Sequence, residues 1–314
     1  MLLLTRDRSV LLTDPRYGVQ ADEESDCEVK VVRGDLSLEA IKWLTRARIH
    51  TVAIEAERIS FETYRKLRDT GKLRPVPAHS AIEELRMVKS AAEIDAIRTS
   101  VKLNSAALGE ALRRFRPSMT ETDLAAEIEY RMRRLGADGP AFETIVAAGA
   151  HSALPHARPS ADRIRNNQLV LVDMGASVAG YSSDMTRTYA IGNPDAKMRR
   201  TYRAVLESQL AAINAIKPGI SAGAVDRVAR DTLRRFRLEQ TFIHSTGHGL
   251  GLEIHERPRL GRKEKTKLAP GMVVTVEPGS YFEGWGGIRI EDTVLVTAQG
   301  CEILTPTAKE LTVL

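Results

Sequence analysis

Short apolar runs and helical spacings follow one another through the first 72 residues. Strands are predicted at Leu2–Leu4, Val10–Leu12 and residues 51–54, because each is a brief apolar or β-branched run bounded by polar residues. Apolar residues recur at helical spacing in residues 36–48 and 57–70, which predicts two helices. Strands and helices therefore alternate in this part of the chain.

A proline-rich segment follows these elements. Residues 74–78 read RPVPA, and two prolines in five residues predict a linker because proline ends regular structure and stiffens a connection. A long helical pattern then runs from residue 80 to about residue 103, and helix and strand alternate to the end of the chain. We therefore predict a small N-terminal domain of residues 1–77 and a larger domain of residues 78–314.

The larger domain contains an internal repeat. Residues 116–135 (RPSMTETDLAAEIEYRMRRL) match residues 217–236 (KPGISAGAVDRVARDTLRRF) at an offset of 101 residues, in prolines, apolar positions and paired arginines. Each copy predicts a helix that begins after a proline turn, with Thr120 or Ser221 as its N-cap.

A second pair of matching segments lies further along each half. Residues 169–188 match residues 272–296, and in both an apolar run leads into an acid, two glycines and a second acid two residues before a threonine. The later copy has three extra residues in its hairpin. Each half therefore supplies two carboxylates on a glycine-containing strand pair: Asp173 and Asp184, then Glu277 and Glu291.

Composition excludes several classes of protein. The 314 residues include 43% hydrophobic and 28% charged residues, and the net charge of +5 is spread along the chain without a basic, aromatic-rich stripe, so we expect no nucleic-acid partner. The two cysteines, Cys27 and Cys301, form no disulfide or zinc pattern, which predicts a reducing, cytoplasmic location. We expect no membrane span, because no long apolar run occurs.

The four carboxylates carry the candidate chemistry. A single acid at the end of a buried strand usually caps a turn or pairs with arginine, but four in a duplicated arrangement favour one common site. Four converging carboxylates repel one another, and two divalent cations would balance their charge. His248 is predicted to lie in a Gly-His-Gly turn, where it fits as a neutral fifth ligand. Oxygen-rich sites with one imidazole suit Mn²⁺, Co²⁺ or Zn²⁺, and a pair of such ions predicts a hydrolytic centre.

Other polar residues are candidates for supporting roles. Arg289 and Glu291 share one face of a strand, so Arg289 is expected to hold Glu291 or Asp173, although a surface salt bridge is the alternative. His156 lies in a loop bracketed by prolines. The remaining histidines, His50, His79 and His151, have no partner that the sequence identifies.

The ordered motifs resemble those of the M24 metallopeptidases. The resemblance rests on Asp173, Asp184, His248 in 244-HSTGHGLGLEIHE-256, Glu277 in 277-EPG-279 and Glu291 in 287-GIRIED-292. Residues 153-ALPHARP-159 together with 183-SDMTRT-188 are similar to the Xaa-Pro branch, which comprises prolidases and aminopeptidase P. The segment 14-DPRY-17 resembles the creatinase-type N-terminal domain.

This resemblance implies a fold and an activity. The implied fold class is α+β, a pita-bread catalytic domain with an internal pseudo-twofold, preceded by a small, shortened α/β creatinase-type domain. The implied enzyme is a metallo-exopeptidase that cleaves the bond between an N-terminal residue and proline. We favour an Xaa-Pro dipeptidase, with Xaa-Pro aminopeptidase on longer peptides as the alternative. The resemblance also implies a homodimer.

The resemblance further implies roles for individual residues. Asp173 would bind one ion, Asp184 and Glu291 would bridge two, and His248 and Glu277 would hold the second. A hydroxide shared by the ions would attack the scissile carbonyl, with Glu277 as general base. The implied substrate-site residues are His156, His244, His255, Tyr281 and Arg289, with His156 and His255 contributing to catalysis. Phe142 and Tyr181 are expected to line the pocket, with a position in the core as the alternative for Tyr181.

Three other functions remain as alternatives. Methionine aminopeptidase has the same fold and the same five ligands, but the N-terminal domain and the two Xaa-Pro motifs argue against it. Creatinase shares the fold without metals, and the intact ligand set argues against that reading. The alternative from a different class is a non-catalytic binding protein on this fold, and such relatives usually lose ligands.

Overall fold

The computed structural model describes residues 1–314, and the chain divides into two units, Met1–Ala81 and Ile82–Leu314. The predicted boundary after residue 77 stays a prediction. None of the helices in either unit combines the length and the apolar character needed to cross a bilayer.

The N-terminal unit contains five strands, three helices and a short 3-10 helix at Pro15–Tyr17. Its strands are β1 (Leu2–Leu4), β2 (Ser9–Thr13), β3 (Glu28–Val31), β4 (Thr51–Glu55) and β5 (Arg74–Ala78). Its helices are α1 (Gly18–Glu24), α2 (Leu36–Arg46) and α3 (Phe61–Asp69). Strands β1, β2 and β3 form one sheet and β4 and β5 another, so the predicted strands and the two predicted helices are confirmed.

The prediction of a linker at residues 74–78 is wrong, because this segment is strand β5 and pairs with β4 in parallel. Its two prolines are compatible with pairing because β4 is its only neighbour in the sheet. The Arg74 backbone N–H donates to His50 O at 2.7 Å, so the backbone nitrogens of Pro75 and Pro77, on the opposite side of the strand, point away from β4.

The larger unit has helices and strands in alternating groups. The helices are α4 (Ala81–Met87), α5 (Ala91–Leu112), α6 (Glu121–Arg134), α7 (Ala196–Ala215) and α8 (Ala222–Arg235), with 3-10 helices at Gly149–Ala153 and Glu239–Thr241. The first group of strands is β6 (Gly139–Pro140), β7 (Ile145–Ala148), β8 (Gln168–Met174), β9 (Ala176–Val178), β10 (Tyr181–Ser182) and β11 (Met185–Ile191). The second is β12 (Gly247–Gly249), β13 (Glu256–Leu260), β14 (Val273–Val276), β15 (Gly279–Phe282), β16 (Gly286–Arg289), β17 (Asp292–Val296) and β18 (Cys301–Ile303).

The long helical pattern predicted after residue 80 is two helices rather than one. Val88 forms a β-bridge with Met272, and the Lys89 N–H donates to Gly271 O at 2.9 Å, which interrupts the helix. Ser90 then starts α5 with a capping box to Glu93. Apolar periodicity alone does not reveal this break, because the bridging partner is remote in sequence.

The internal repeat predicted from sequence is visible in the helices. Helices α6 and α8 are each 14 residues long and begin 101 positions apart. Thr120 caps α6 as predicted. Ser221 makes no side-chain cap, contrary to prediction, because the first N–H groups of α8 donate to backbone carbonyls of Thr266 and Glu264.

Each repeat packs its helices on its own sheet. In the first half, α5 and α6 cover the sheet β11-β8-β7 through buried residues that include Leu108, Ile128, Val146 and Val172. In the second half, α7 and α8 cover β12, β14 and β17 through Val205, Val225, Val274 and Val294. The predicted α+β class is therefore confirmed, and the two sheets bring matching strand ends into the interior.

Candidate metal centre

Four carboxylates lie at the ends of two matching hairpins. Asp173 lies near the end of β8 and pairs with Thr186 of β11, whereas Asp184 immediately precedes β11. In the second hairpin, Glu277 immediately follows β14 and Glu291 immediately precedes β17, at the end where Val276 pairs with Asp292. Antiparallel pairing therefore brings two acids together at one end of each hairpin.

Two equivalent threonines join the hairpins. Thr186 Oγ1 donates to Glu291 Oε2 at 2.6 Å, and the Glu291 N–H donates to Thr186 O at 3.1 Å. In the other direction, Thr293 Oγ1 donates to the carbonyl of Asp184 at 2.8 Å. Each threonine of the repeat thus fixes an acid of the opposite half, which brings the two halves to one centre.

The five predicted metal ligands line one cavity. One potential ligand atom from each of Asp184, His248 and Glu291 lies within 4.8 Å of the others. His248 Nε2 is 3.5 Å from both Asp184 Oδ2 and Glu277 Oε1. The other residues of the cavity wall include Phe142, Ile145, Pro155, His156, His244, Ile254, His255, Arg259 and Arg289, together with Asp173.

His248 lies on strand β12 rather than in the turn that its glycine neighbours predicted. A Cβ atom on Gly247 would lie 2.0 Å from Thr275 O, and one on Gly249 would lie 2.3 Å from Arg257 O. The glycines therefore allow neighbouring strands to approach the histidine. His248 Nδ1 lies 3.0 Å from Gly249 O, an acceptor, so the proton is on Nδ1 and the Nε2 lone pair faces the acids.

The charges of these acids are only partly balanced by the protein. Burial raises the pKa of Asp184 and of Glu291 well above their usual ranges, and repulsion among the four carboxylates raises them further. Burial also raises the pKa of Glu277 to about 7, although the Arg289 guanidinium opposes that shift. Burial lowers the pKa of His248 to about 4, which keeps its imidazole neutral.

The donor set fits divalent cations. Asp173 Oδ1 is buried and has no hydrogen-bond partner, although buried carboxylate oxygens are normally paired. That oxygen, three further carboxylates and an imidazole with a free lone pair are the ligands that hard or borderline divalent ions take. Binding such ions would also relieve the repulsion that raises the pKa values.

Arg289 holds Asp173, one of the two partners that the sequence left open. Its Nη2 donates to Asp173 Oδ2 at 2.6 Å, and its Nη1 donates to the Tyr281 hydroxyl at 2.7 Å. Its Nε donates to Thr186 Oγ1 at 3.1 Å, which in turn donates to Glu291. Arg289 is 2% exposed, so the surface salt bridge considered from sequence is excluded.

The three candidate substrate histidines border the same cavity. His244 is fixed between Ser245 O and the Tyr281 hydroxyl, each 2.8 Å from a ring nitrogen, and burial lowers the pKa of His244 to about 3. His255 lies edge-on to His248, with ring centroids 4.4 Å apart. His156 and His255 are exposed to the cavity, so their rings are accessible to a ligand.

Some residues lie elsewhere than expected, and others were missed. Phe142 lines the cavity as predicted, but Tyr181 packs beside a separate apolar cluster and donates to Glu93 at 3.1 Å. His151, which had no partner in the sequence, lies 2.8 Å from the buried carboxylate of Glu121. Neither position carried a sequence signal, because the partners are remote in the chain.

Arg187 and Asp292 form a buried ion pair that was not predicted from the sequence. Arg187 Nη2 donates to Asp292 Oδ1 at 2.7 Å, and its Nη1 donates to the carbonyl of Glu291. It also donates to backbone carbonyls of Ala308 and Thr307, which attaches the C-terminal segment to the site. An arginine inside strand β11, which contains no other charged residue, was the signal that pointed to such a partner.

Two family models match the chain. The model described as metallopeptidase family M24 matches residues 95–298, and the one described as creatinase/prolidase N-terminal domain matches residues 1–88. The first match contains all five candidate ligands.

Curated and solved relatives agree with these models. The Xaa-Pro dipeptidase of Pyrococcus furiosus is 44% identical over 230 residues, which are 73% of this chain and 66% of that protein, slightly under two thirds of its length. A structure of an Xaa-Pro dipeptidase from Bacillus anthracis has 37% identity and a TM-score of 0.96, and the match covers all of this chain and 88% of that one. An X-Pro aminopeptidase from Thermotoga maritima MSB8 has 38% identity and a TM-score of 0.93, covering all of this chain and 90% of that one.

Proposed function

Because the chain belongs to metallopeptidase family M24, we propose that it is an Xaa-Pro dipeptidase that hydrolyses the bond between an N-terminal residue and proline. The resemblance recognised in the sequence is confirmed, including the creatinase-type N-terminal domain and the pita-bread catalytic domain. The substrate and the mechanism are part of the proposal.

We propose that Asp173, Asp184, His248, Glu277 and Glu291 hold two divalent cations, with Mn²⁺, Co²⁺ and Zn²⁺ as the candidates. Each of the five side chains would supply ligand atoms, four of them as carboxylates and His248 as a neutral imidazole. Such ions polarise a scissile carbonyl and lower the pKa of water. The unpaired Asp173 Oδ1 and the raised pKa values of Asp184 and Glu291 support this assignment.

Glu277 is the proposed general base and acid. It takes a proton from the attacking water and delivers it to the proline nitrogen, which carries no hydrogen in the peptide and leaves as an amine only after protonation. Its position on the cavity wall, together with the other acids and the histidines, supports this role.

The histidines and the Arg289 network position the peptide. His156 and His255 contact the scissile carbonyl and the tetrahedral intermediate, because both are exposed to the cavity that contains the acids. His244 contacts the proline side, where Tyr281 and Arg289 hold its ring in one orientation through a chain of hydrogen bonds. Phe142, Ile145 and Ile254 supply the apolar wall.

The position of Arg259 in the cavity is the observation that favours dipeptidase activity over aminopeptidase activity. Arg259 lies on β13, where it pairs with His248 of β12, and it lines the cavity while forming no salt bridge with a carboxylate of the chain. A dipeptide presents a free carboxylate on proline, and an unpaired guanidinium is its natural partner. In a longer peptide that position is an amide, which gains little from arginine.

The test compares Met-Pro, Met-Pro amide and Met-Pro-Ala as substrates of the protein reconstituted with Mn²⁺ or Co²⁺. We expect Met-Pro to have the highest kcat/KM. Arg259→Met should raise the KM for Met-Pro at least about tenfold, because a charge-assisted hydrogen bond is lost, and should leave the KM for the amide unchanged. Arg259→Lys, which keeps the charge, is the matched control. Its KM for Met-Pro should lie between those of the wild type and of Arg259→Met.

Other outcomes would favour the alternatives. Faster cleavage of Met-Pro-Ala than of Met-Pro would identify an Xaa-Pro aminopeptidase, the activity named for the Thermotoga neighbour. Failure on all three peptides with either metal would contradict the enzyme assignment, as would a Glu277→Ala variant as active as the wild type.

We also propose that the chain forms a homodimer, which analytical ultracentrifugation would test.

A further inference from the structure

A buried carboxylate outside the metal centre holds both ends of the loop that carries His156. This loop, residues 148–160 and here called the His156 loop, leaves strand β7 at Ala148 and contributes Pro155 and His156 to the cavity wall. Glu121, the first residue of helix α6, lies beneath it and is 1% exposed.

Each oxygen of Glu121 accepts from a different end of the loop. Oε1 accepts from the Ala148 N–H at 2.7 Å, at the start of the loop. Oε2 accepts from both the N–H and the hydroxyl of Ser160, at 2.9 and 2.7 Å, at the end of the loop. His151 Nδ1, within the 3-10 turn of the loop, lies 3.0 and 2.8 Å from the two oxygens. The Glu121 carboxylate therefore joins the two ends of the loop, Ala148 and Ser160, which are 12 positions apart in sequence.

The middle of the loop is connected to the metal centre. Arg289 Nη1 donates to the carbonyl of Pro155 at 3.2 Å, next to His156, while Nη2 of the same guanidinium holds Asp173. The Gly287 N–H donates to Ser152 Oγ at 2.8 Å. With its ends held by Glu121 and its middle by Arg289 and Gly287, the loop has one position relative to the acids.

A buried carboxylate carries a large desolvation cost, which the donors of Ala148, His151 and Ser160 offset. Glu121 touches neither the cavity nor a candidate ligand, so this cost serves no direct contact with a substrate or a metal. We propose that Glu121 is a positioning residue that sets His156 against the scissile bond by closing the His156 loop. This inference rests on the proposed function, since it gives His156 its role.

Glutamine at position 121 tests the closure with almost no change in volume. Both oxygens of Glu121 face backbone N–H donors, so either orientation of a glutamine amide places its NH₂ group against one of them. One end of the loop must then lose its acceptor. His151→Ala is a milder second variant, because it removes one partner at a side chain that is 29% exposed and leaves the carboxylate in place.

The first measurement is hydrogen exchange, which needs neither substrate nor metal. In Glu121→Gln, amides of residues 149–158 should exchange at least about tenfold faster than in the wild type, and His151→Ala should give a smaller increase. Glu129→Gln is the matched control, because Glu129 lies on the same helix and forms no ion pair. Unchanged exchange in the loop of both Glu121→Gln and His151→Ala would overturn the inference.

The second measurement is a double-mutant cycle on Met-Pro hydrolysis with Glu121→Gln and His156→Ala. If Glu121 acts through His156, each single variant should lower kcat/KM at least about tenfold, and the double variant should be no worse than His156→Ala alone. Metal content should match the wild type in all of them. The positioning role would be overturned if the fold-losses in kcat/KM of the two single variants multiply in the double variant. Loss of bound metal in Glu121→Gln would overturn it as well.

The failure of this inference is distinguishable from that of the proposed function. If the wild-type protein cleaves no Xaa-Pro peptide, the proposed function fails, whereas the exchange experiment still decides whether Glu121 closes the loop. If the wild type is active and His156→Ala has wild-type kcat/KM, positioning of His156 is not needed and the inference is overturned while the activity stands.

Discussion

Three histidines within twelve residues of sequence acquire three different environments. His248 directs its Nε2 toward Asp184 and Glu277, His244 is held between Ser245 and Tyr281, and His255 is open to the cavity. Burial lowers the pKa of all three, so each ring is neutral at pH 7. Neutral imidazole serves as a metal ligand or as a hydrogen-bond partner, and the neighbours decide which.

Alanine substitutions should separate these roles. His248→Ala should reduce the metal bound per subunit, because it removes the only nitrogen ligand. His244→Ala and His255→Ala should retain metal and lower kcat at least about tenfold, because they remove contacts to the peptide. Metal analysis by mass spectrometry and steady-state kinetics on the same preparations would check both. Metal loss in His244→Ala or His255→Ala would contradict the assignment.

At the scale of elements, β12 is the strand whose placement depends most on residue size. It lies between β13 and β14, and its two glycines face backbone carbonyls at distances that no Cβ tolerates. The local sequence Gly-His-Gly suggested a turn, because glycine is common in turns. The same glycines are needed in a strand here because the sheet packs closely around the histidine.

Gly247→Ala should therefore displace β12 from β14. The added Cβ would lie 2.0 Å from Thr275 O, a backbone atom that cannot move by itself, so we expect a loss of about 1–3 kcal/mol in the free energy of unfolding. The affinity for Mn²⁺ should fall as well, because His248 moves with the strand. Gly300→Ala is the control, since that Cβ meets nothing within 4 Å. Equal thermal stability of the two variants would contradict this account.

Local patterns identified most elements correctly and failed where the partner was distant. Helices α6 and α8 were predicted at their observed offset because apolar periodicity is a local signal, although the side-chain cap predicted at Ser221 does not form. Strand β5 was mistaken for a linker, because only its parallel partner β4 and the outward direction of its proline nitrogens make it a strand. The break before α5 likewise depends on the bridge between Val88 and Met272.

At the scale of the whole catalytic unit, the duplicated halves concentrate negative charge in one buried place. The four acids come from two hairpins, and within the protein only Asp173 is neutralised by a salt bridge, to Arg289. The folded state therefore holds protons on Asp184, Glu277 and Glu291 at a pH where the unfolded chain has released them. Stability consequently depends on pH and on metal together.

The metal-free protein should lose stability as the pH rises from 6.5 to 8.5. A raised carboxyl pKa contributes stability that is fully present below the unfolded value and is lost as the pH rises through the folded value, about 7 for Glu277. The three histidines with lowered pKa oppose this fall only at the lower end of the window, because an unfolded imidazole is half protonated at pH 6.5 and mostly neutral above about pH 7.5. We expect a fall in Tm of about 5 °C or more.

Calorimetry with and without Mn²⁺ would check this dependence. Bound metal should remove the fall, because coordination stabilises the deprotonated carboxylates. Asp184→Asn should raise the Tm of the metal-free protein by relieving repulsion, and should lower the Tm in excess Mn²⁺ by removing a ligand. A variant that shifts both values in the same direction would contradict convergence of the four acids on one metal site.

The sequence by itself determined the family, the duplicated α+β architecture, the four acids and the candidate ligand His248. These features follow from short motifs and from apolar periodicities of 2 and 3.6 residues, which can be recognised within a few neighbouring positions of the sequence. The tertiary structure decided which groups meet: Arg289 with Asp173, Thr186 with Glu291, Glu121 with both ends of the His156 loop, and Arg259 with the cavity. The hydrogen bonds among them join residues separated by 27 to 116 positions, and only the packing of the folded chain brings such residues together.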